Sequence, residues 1–395
     1  MNAPGQSAVS TATLAVIETL IGFDTVSRNS NLGLIEWVRD YLQKLGAGSR
    51  LSYDAARGKA NLFATLAGGS SAREAGIALC GHTDVVPVDG QPWMTDPFKA
   101  EPRDGRIYGR GACDMKSFIA CVLAAAPAYA AAPLKRPVHL ALTYDEEVGC
   151  LGVPVLIRDL RSAGIELAGC IIGEPTGMQV MTGHKGIRIY RCCVRGLEAH
   201  SSLAPSGVNA IEYAARLIDF MRELALELRE KGPQDQAYSV PFVTLQTGTI
   251  RGGTAANIVP RDCEFQFDLR YLPGMSADET VGRISRFAAD SLVPEMRRTA
   301  AEADIRLELQ AEAPDLNTPE AERLAHLGAR LSGNPGFGRV PFATDGGHFH
   351  RAGVPTIVIG PGSIDQAHKP DEFIEMSQIA QCEAFLARLR EHFSE

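Results

Sequence analysis

Residues 77–84 read Ile77-Ala78-Leu79-Cys80-Gly81-His82-Thr83-Asp84. Four apolar side chains in succession make a short strand, and the chain then passes directly into two groups able to bind a cation. The arrangement recurs. Val138-His139-Leu140-Ala141-Leu142 precedes Asp145-Glu146-Glu147, Cys170-Ile171-Ile172 precedes Glu174, and Thr356-Ile357-Val358-Ile359 leads toward His368. Amphipathic stretches lie between such runs, among them Leu34-Ile35-Trp37-Val38-Tyr41-Leu42-Leu45 at helical spacing, stopped by Gly46 and Gly48. Strand alternating with helix predicts a layered α/β domain with a mostly parallel sheet. Ligands of such sheets gather beyond the carboxyl ends of the strands, where all four polar clusters fall.

Because the last cluster comes from the far end of the chain, one metal-binding domain is expected to own both termini, over residues 1–182 and 314–395. Residues 183–313 change rhythm to strand, helix, strand, strand, helix, strand: Ile187 to Val194, Val208 to Leu226, Phe242 to Thr249, Cys263 to Tyr271, Ala277 to Leu292 and Ile305 to Ala311. That order predicts an inserted ferredoxin-like α+β unit.

A chain of 395 residues is long enough for two or three domains. Acidic residues exceed basic ones by 47 to 39, and basic clusters are no longer than Arg297-Arg298, which argues against a nucleic-acid partner. No apolar run approaches the ~20 residues of a membrane span. Met1 to Ser10 carries no Lys or Arg, unlike a secretion signal, so a cytoplasmic location is expected. The nine cysteines include no C-x-x-C pair and read as free buried thiols of a reducing compartment.

Two divalent ions held about 3.5 to 4 Å apart require a bridging carboxylate and terminal ligands drawn from His, Asp and Glu. His82, Asp114, Glu147, Glu174 and His368 supply such a set. Asp114 lies in Gly109-Arg110-Gly111-Ala112-Cys113-Asp114-Met115-Lys116, just before the apolar helix Phe118 to Ala126. Taken alone, an acidic run is a solvated turn and an H-x-D pattern is weak; several such motifs in order, each after a strand, are not.

The chain resembles the dinuclear zinc peptidases and deacylases, a family that includes acetylornithine deacetylase, succinyl-diaminopimelate desuccinylase and glutamate carboxypeptidase. The resemblance rests on Gly81-His82-Thr83-Asp84-Val85-Val86-Pro87, Gly109 to Lys116, Asp145-Glu146-Glu147, Gly173-Glu174-Pro175 and Ala367 to Glu372. It implies that His82, Asp114 and Glu174 hold one metal and Asp114, Glu147 and His368 the other, with Asp114 as the bridge. Zinc is the implied ion and cobalt also suits the donors. The resemblance further implies that the acid at Asp84 hydrogen-bonds the far nitrogen of His82. Glu146 is implied as the general base.

Further implied residues lie in the inserted unit. His200, in Gly196-Leu197-Glu198-Ala199-His200-Ser201-Ser202, would stabilise the oxyanion across a homodimer interface. Asn257 and Arg270 would bind the substrate carboxylate. His348-x-His350 is expected to be a loop decoy. Ser201 and Ser202 do not suggest a serine hydrolase, because no G-x-S-x-G elbow occurs. The run from Gly360 to Phe373 resembles the acetylornithine deacetylase branch, which implies cleavage of N-acetyl-L-ornithine in arginine synthesis. Alternatives are desuccinylase, dipeptidase or aminoacylase activity, and, in another class, a metal-binding regulatory subunit without catalysis. Ser117 and Asp345 depart from the branch, which often carries Gly and Glu there.

Overall fold

The computed structural model describes residues 8–66 and 75–395. Part of the Met1 to Ser10 stretch therefore lies outside the described residues; Ser10 itself caps the first helix, Thr11–Ile21, by accepting from Thr13 N. Contacts divide the chain into two compact units. One comprises Met1–His184, Leu316–Arg339 and Thr344–Glu395, the other Lys185–Asp315 and Val340–Ala343.

The first unit is built on strands β1 (Ser49–Tyr53), β2 (Ala60–Thr65), β3 (Gly76–His82), β4 (Val138–Thr143), β5 (Leu167–Ile172), β6 (Val180–His184), β7 (Leu316–Asn317), β8 (Phe337–Val340) and β9 (Thr356–Val358). Their order in the sheet is β1-β2-β4-β3-β5-β9-β6-β7, with β8 paired to β6 beside that path. The four central strands, β4, β3, β5 and β9, run parallel. Antiparallel pairs flank them, so the sheet is mixed with a parallel centre. Every residue of β3 and β4 is buried, because helices cover both faces. Leu79, Leu140 and Ile171 share one core with Ile17 and Leu20 of the first helix, Phe118 and Leu123 of helix Lys116–Ala131, and Phe385 and Leu389 of helix Met376–Ser394. The polar segments after β3, β4 and β5 consequently leave the sheet at one edge.

In the second unit, strands Gly186–Arg195, Thr244–Gly252, Asp262–Tyr271 and Asp304–Ala313 form an antiparallel sheet, with helices Ala210–Lys231 and Ala277–Phe287 between them in sequence. Spatially, the second strand lies beside the third, the third beside the first, and the first beside the fourth. Cys263, Phe265, Phe267, Leu269 and Tyr271 alternate inward along the third strand, forming a core with Leu217 and Met221. The first of these helices departs from the expected Val208 to Leu226. Asn209 accepts from Ile211 and Glu212 N and fixes the start at Ala210, two residues inside Val208. Its charged last turn keeps helical backbone until Gly232-Pro233.

No helix among the described residues is long and apolar enough to cross a membrane.

Candidate metal centre

His82 ends β3 with 1% of its surface exposed. Its Nδ1 donates to the main-chain carbonyl of Asp84 at 2.8 Å. That bond occupies Nδ1 and turns Nε2 toward Asp114 Oδ1 at 2.9 Å and Glu174 Oε1 at 3.5 Å. The carboxylate of Asp84 is 3.7 Å from Nδ1 and serves elsewhere. It accepts from Ser27 Oγ at 2.7 Å and from the N–H groups of Glu146 and Glu147 at 3.1 and 3.3 Å. Asp84 thus orients His82 through its carbonyl and the acidic turn through its side chain.

Asp114 precedes helix Lys116–Ala131 and presents its two oxygens to two histidines. Oδ1 faces His82, and Oδ2 lies 3.3 Å from His368 Nε2. Glu147 Oε2 approaches the same His368 nitrogen at 3.0 Å. Two groups of potential ligands with atoms mutually within 4.8 Å result, His82-Asp114-Glu147 and His82-Glu146-Glu174. Asp114, Glu147, Glu174, His82 and His368, named from the sequence, are therefore together. His348 and His350 lie on the short helix Gly346–Arg351 and belong to neither group.

The charges explain why such a cluster suits a cation. Burial and the neighbouring Asp114 push Glu147 up to about 7, and the same causes raise Glu174 well above the carboxylate range. Burial also raises Glu146, reinforced by Glu147. Hydrogen bonds donated to Asp114 and Glu147 hold His368 up at about 10. Although burial works against it, His82 is pulled well above its ordinary value by Glu174 and Asp114. Four carboxylates thus compete for protons held by two rings, an excess of buried negative charge that divalent cations neutralise. Mixed imidazole and carboxylate donors fit a borderline ion such as zinc or cobalt.

Glu146 stands next to Glu147 but is aimed differently: Cys150 Sγ donates to its Oε1 at 3.6 Å. Cys150 is also within reach of Asp345, whose Oδ2 accepts from Thr143 Oγ1 at 2.6 Å. Burial pushes Asp345 up to about 6. The remaining named residues lie in the second unit. His200 is exposed and accepts through Nδ1 from Ser202 N at 3.2 Å, which leaves Nε2 as the protonated nitrogen of the neutral ring. Ser201 N donates to Asn257 O at 2.9 Å, so His200 and Asn257 occupy one locality. Arg270 lies on strand Asp262–Tyr271 with its Nε 3.3 Å from Asp268 Oδ1.

Glu372, Arg110 and Gln91 received no role from the sequence, although Arg110 and Glu372 stood inside quoted motifs. An Arg and a Glu inside two of those motifs, neither of them a candidate ligand, are the signal that was present, and both prove to be buried.

Fold and cluster define an α/β protein with a carboxylate-rich candidate metal centre at the strand ends. The chain belongs to peptidase family M20/M25/M40, whose model matches residues 78–392. It is 37% identical to an acetylornithine deacetylase of Myxococcus xanthus, covering 96% of this chain and 97% of the relative. An acetylornithine deacetylase of Photorhabdus laumondii is 33% identical, over 97% of this chain and 94% of that one. Among solved structures, the aminopeptidase PepT of Bacillus cereus superposes with a TM-score of 0.73 at 19% identity, covering 98% of this chain and 100% of that one. An M20 family metallo-carboxypeptidase of Sulfolobus solfataricus has a TM-score of 0.73 at 19% identity, over 95% and 99% of the two chains. These structures share the fold.

Proposed function

We propose that this protein hydrolyses N-acetyl-L-ornithine to L-ornithine and acetate, as a cytoplasmic homodimer serving arginine synthesis. Relatives of that name, similar over nearly the whole chain, support the substrate. The observation that carries the chemistry is the Asp114 carboxylate set between His82 and His368. His82, Asp114 and Glu174 would hold one divalent ion, zinc by preference with cobalt as a substitute, and Asp114, Glu147 and His368 the other. When bound, the ions supply Lewis-acid polarisation of the scissile carbonyl.

The remaining work belongs to side chains. Glu146 takes a proton from the attacking water as its oxygen bonds to the acetyl carbon, and returns it to the amine nitrogen as the C–N bond breaks. A carboxyl whose proton affinity is raised by burial suits that double role. His200, with Nε2–H as a donor, would stabilise the oxyanion from the second subunit. Asn257 and the guanidinium of Arg270 would receive the substrate's carboxylate. In this reading residues 1–182 and 314–395 are the catalytic domain and 183–313 the dimerising one.

Hydrolysis of N-acetyl-L-ornithine, N-succinyl-diaminopimelate, N-acyl amino acids and dipeptides by chelated, zinc-restored and Glu146→Ala protein tests the proposal. Preferential turnover of acetylornithine that depends on metal and on Glu146 is expected. Preference for another compound overturns the substrate, and activity that survives loss of Glu146 overturns the mechanism. Mixing Glu146→Ala with His200→Ala protein should restore activity as subunits exchange; exchange without recovery removes His200 from the partner's site.

A further inference from the structure

We infer that Glu372, Arg110 and Gln91 form a positioning relay that fixes the main chain of His368 relative to that of Asp114, and so sets the spacing of the metal centre. The inference rests on reading those two residues as ligands.

The two ligand loops are far apart in sequence and are joined by a circuit of hydrogen bonds. Glu372 Oε1 accepts from Cys113 N at 2.7 Å and from Asp114 N at 3.0 Å, and its Oε2 accepts from Gly111 N at 3.1 Å. Arg110 Nη1 donates to the same Oε2 at 2.7 Å and to Lys369 O at 3.3 Å. Its Nη2 donates to Gln91 Oε1 at 2.6 Å, and Gln91 Nε2 donates to the carbonyl of His368 itself at 3.0 Å. The circuit therefore begins at the amide of one ligand and ends at the carbonyl of the other.

Charge and burial make the relay stiff. Arg110 and Glu372 are each 1% exposed, so either left alone would be a buried uncompensated charge. Trp93 covers the guanidinium, 5.0 Å from its ring centre, and donates its indole N–H to Gln91 Oε1 at 3.0 Å. The far end needs holding, because His368 has φ of +63°, a conformation costly for a residue with a side chain. It also carries an imidazole that is 54% exposed. A main-chain anchor is what remains to place that ring against Asp114 and Glu147. Partners that orient ligands typically change metal affinity by about 10- to 100-fold when removed.

The test uses full-length protein stripped by chelation and titrated with Co²⁺, followed by its d–d absorption and by calorimetry, for wild type, Glu372→Gln and Gln91→Leu. Glu372→Gln breaks the link to Arg110 while keeping an acceptor for the amides. Gln91→Leu, at a partly exposed position, removes the anchor on His368 and the acceptor of Arg110 Nη2 and Trp93 Nε1 while keeping the Arg110–Glu372 pair, and serves where the buried variant does not fold. Wild type is expected to take two equivalents. Each folded variant should bind the second at least about tenfold more weakly, with an altered spectrum, and its zinc form should lose kcat at unchanged KM. A folded Gln91→Leu protein with both affinities and the spectrum of wild type overturns the relay. Wild type that takes up fewer than two equivalents overturns instead the ligand reading beneath it.

Discussion

Cys150 donates its thiol to Glu146, with Sγ 3.6 Å from Oε1, from a backbone held at φ of +56°. Burial and the adjacent Glu146 push the thiol well above its ordinary pKa, so it stays protonated and remains a donor. A base that must alternate between accepting and returning a proton benefits from one oxygen being held while the other faces the water. Removing a hydrogen bond of this kind costs about 0.5 to 1.5 kcal/mol, so Cys150→Ala should lower kcat by roughly two- to tenfold with KM unchanged, and Cys150→Ser should recover most of it. Glu146→Gln, which removes the proposed base, should lower kcat by about 10²- to 10⁴-fold while metal content is retained. Steady-state kinetics beside metal analysis decide the matter; a Glu146→Gln protein as active as wild type would end the assignment.

Asp114→Asn should abolish the centre rather than tune it. One side chain faces both histidine nitrogens, at 2.9 and 3.3 Å, and an amide offers only one oxygen. Both equivalents of added Co²⁺ should weaken together, and activity should vanish. His368→Ala removes only a proposed terminal ligand, so one equivalent should persist. Equal stoichiometry in the two variants would show that Asp114 does not bridge.

Three of the candidate ligand positions were legible because each follows its own apolar run, a local pattern that needs no knowledge of the sheet, whereas Asp114 precedes an apolar helix. His82, Glu147 and Glu174 each announce themselves within a few residues of a strand. What was not legible is carried by main-chain atoms. Asp84 was expected to hold His82 with its carboxylate, yet the bond comes from its carbonyl, an atom every residue has. Glu372 reaches the amide of Asp114 across 258 residues of sequence, and nothing in residue type marks which amides it meets. The helix at Ala210 extends past Leu226 because apolar periodicity fades in a solvated last turn before the hydrogen bonding does.

Gly360 illustrates a constraint that only packing shows. A Cβ there would lie 2.0 Å from Gly173 O and 2.6 Å from Glu174 O, both main-chain atoms that cannot swing aside. Gly360→Ala should therefore destabilise the protein by about 1 to 3 kcal/mol, the range for forced overpacking. Because the displaced backbone carries Glu174, Co²⁺ affinity should fall with it. Urea unfolding and metal titration of the variant check both effects. Unchanged midpoints with wild-type affinity would mean that the two segments part without cost.

His139 supplies a pH dependence independent of the metal ligands. It sits on β4 with 6% of its surface exposed, its Nδ1 3.0 Å from Thr65 Oγ1 and its ring stacked on Phe63 at 4.8 Å between centres. Burial pushes its pKa down from 6.5 to about 4, since the imidazolium would lose hydration without gaining a counter-charge. The unfolded chain therefore binds this proton near pH 6.5, and the folded one only near pH 4. Above pH 6.5 the group costs nothing. Between those values the native state loses about 1.4 kcal/mol per pH unit, and below pH 4 the loss levels off near 3 kcal/mol. His139→Gln, which does not titrate, should show a shallower fall in stability over that window when chelated proteins are unfolded in urea at about pH 7 and about pH 4. The carboxylates titrate in both proteins and cancel in the difference, so parallel curves would mean that His139 is protonated in the folded state as readily as in the unfolded one.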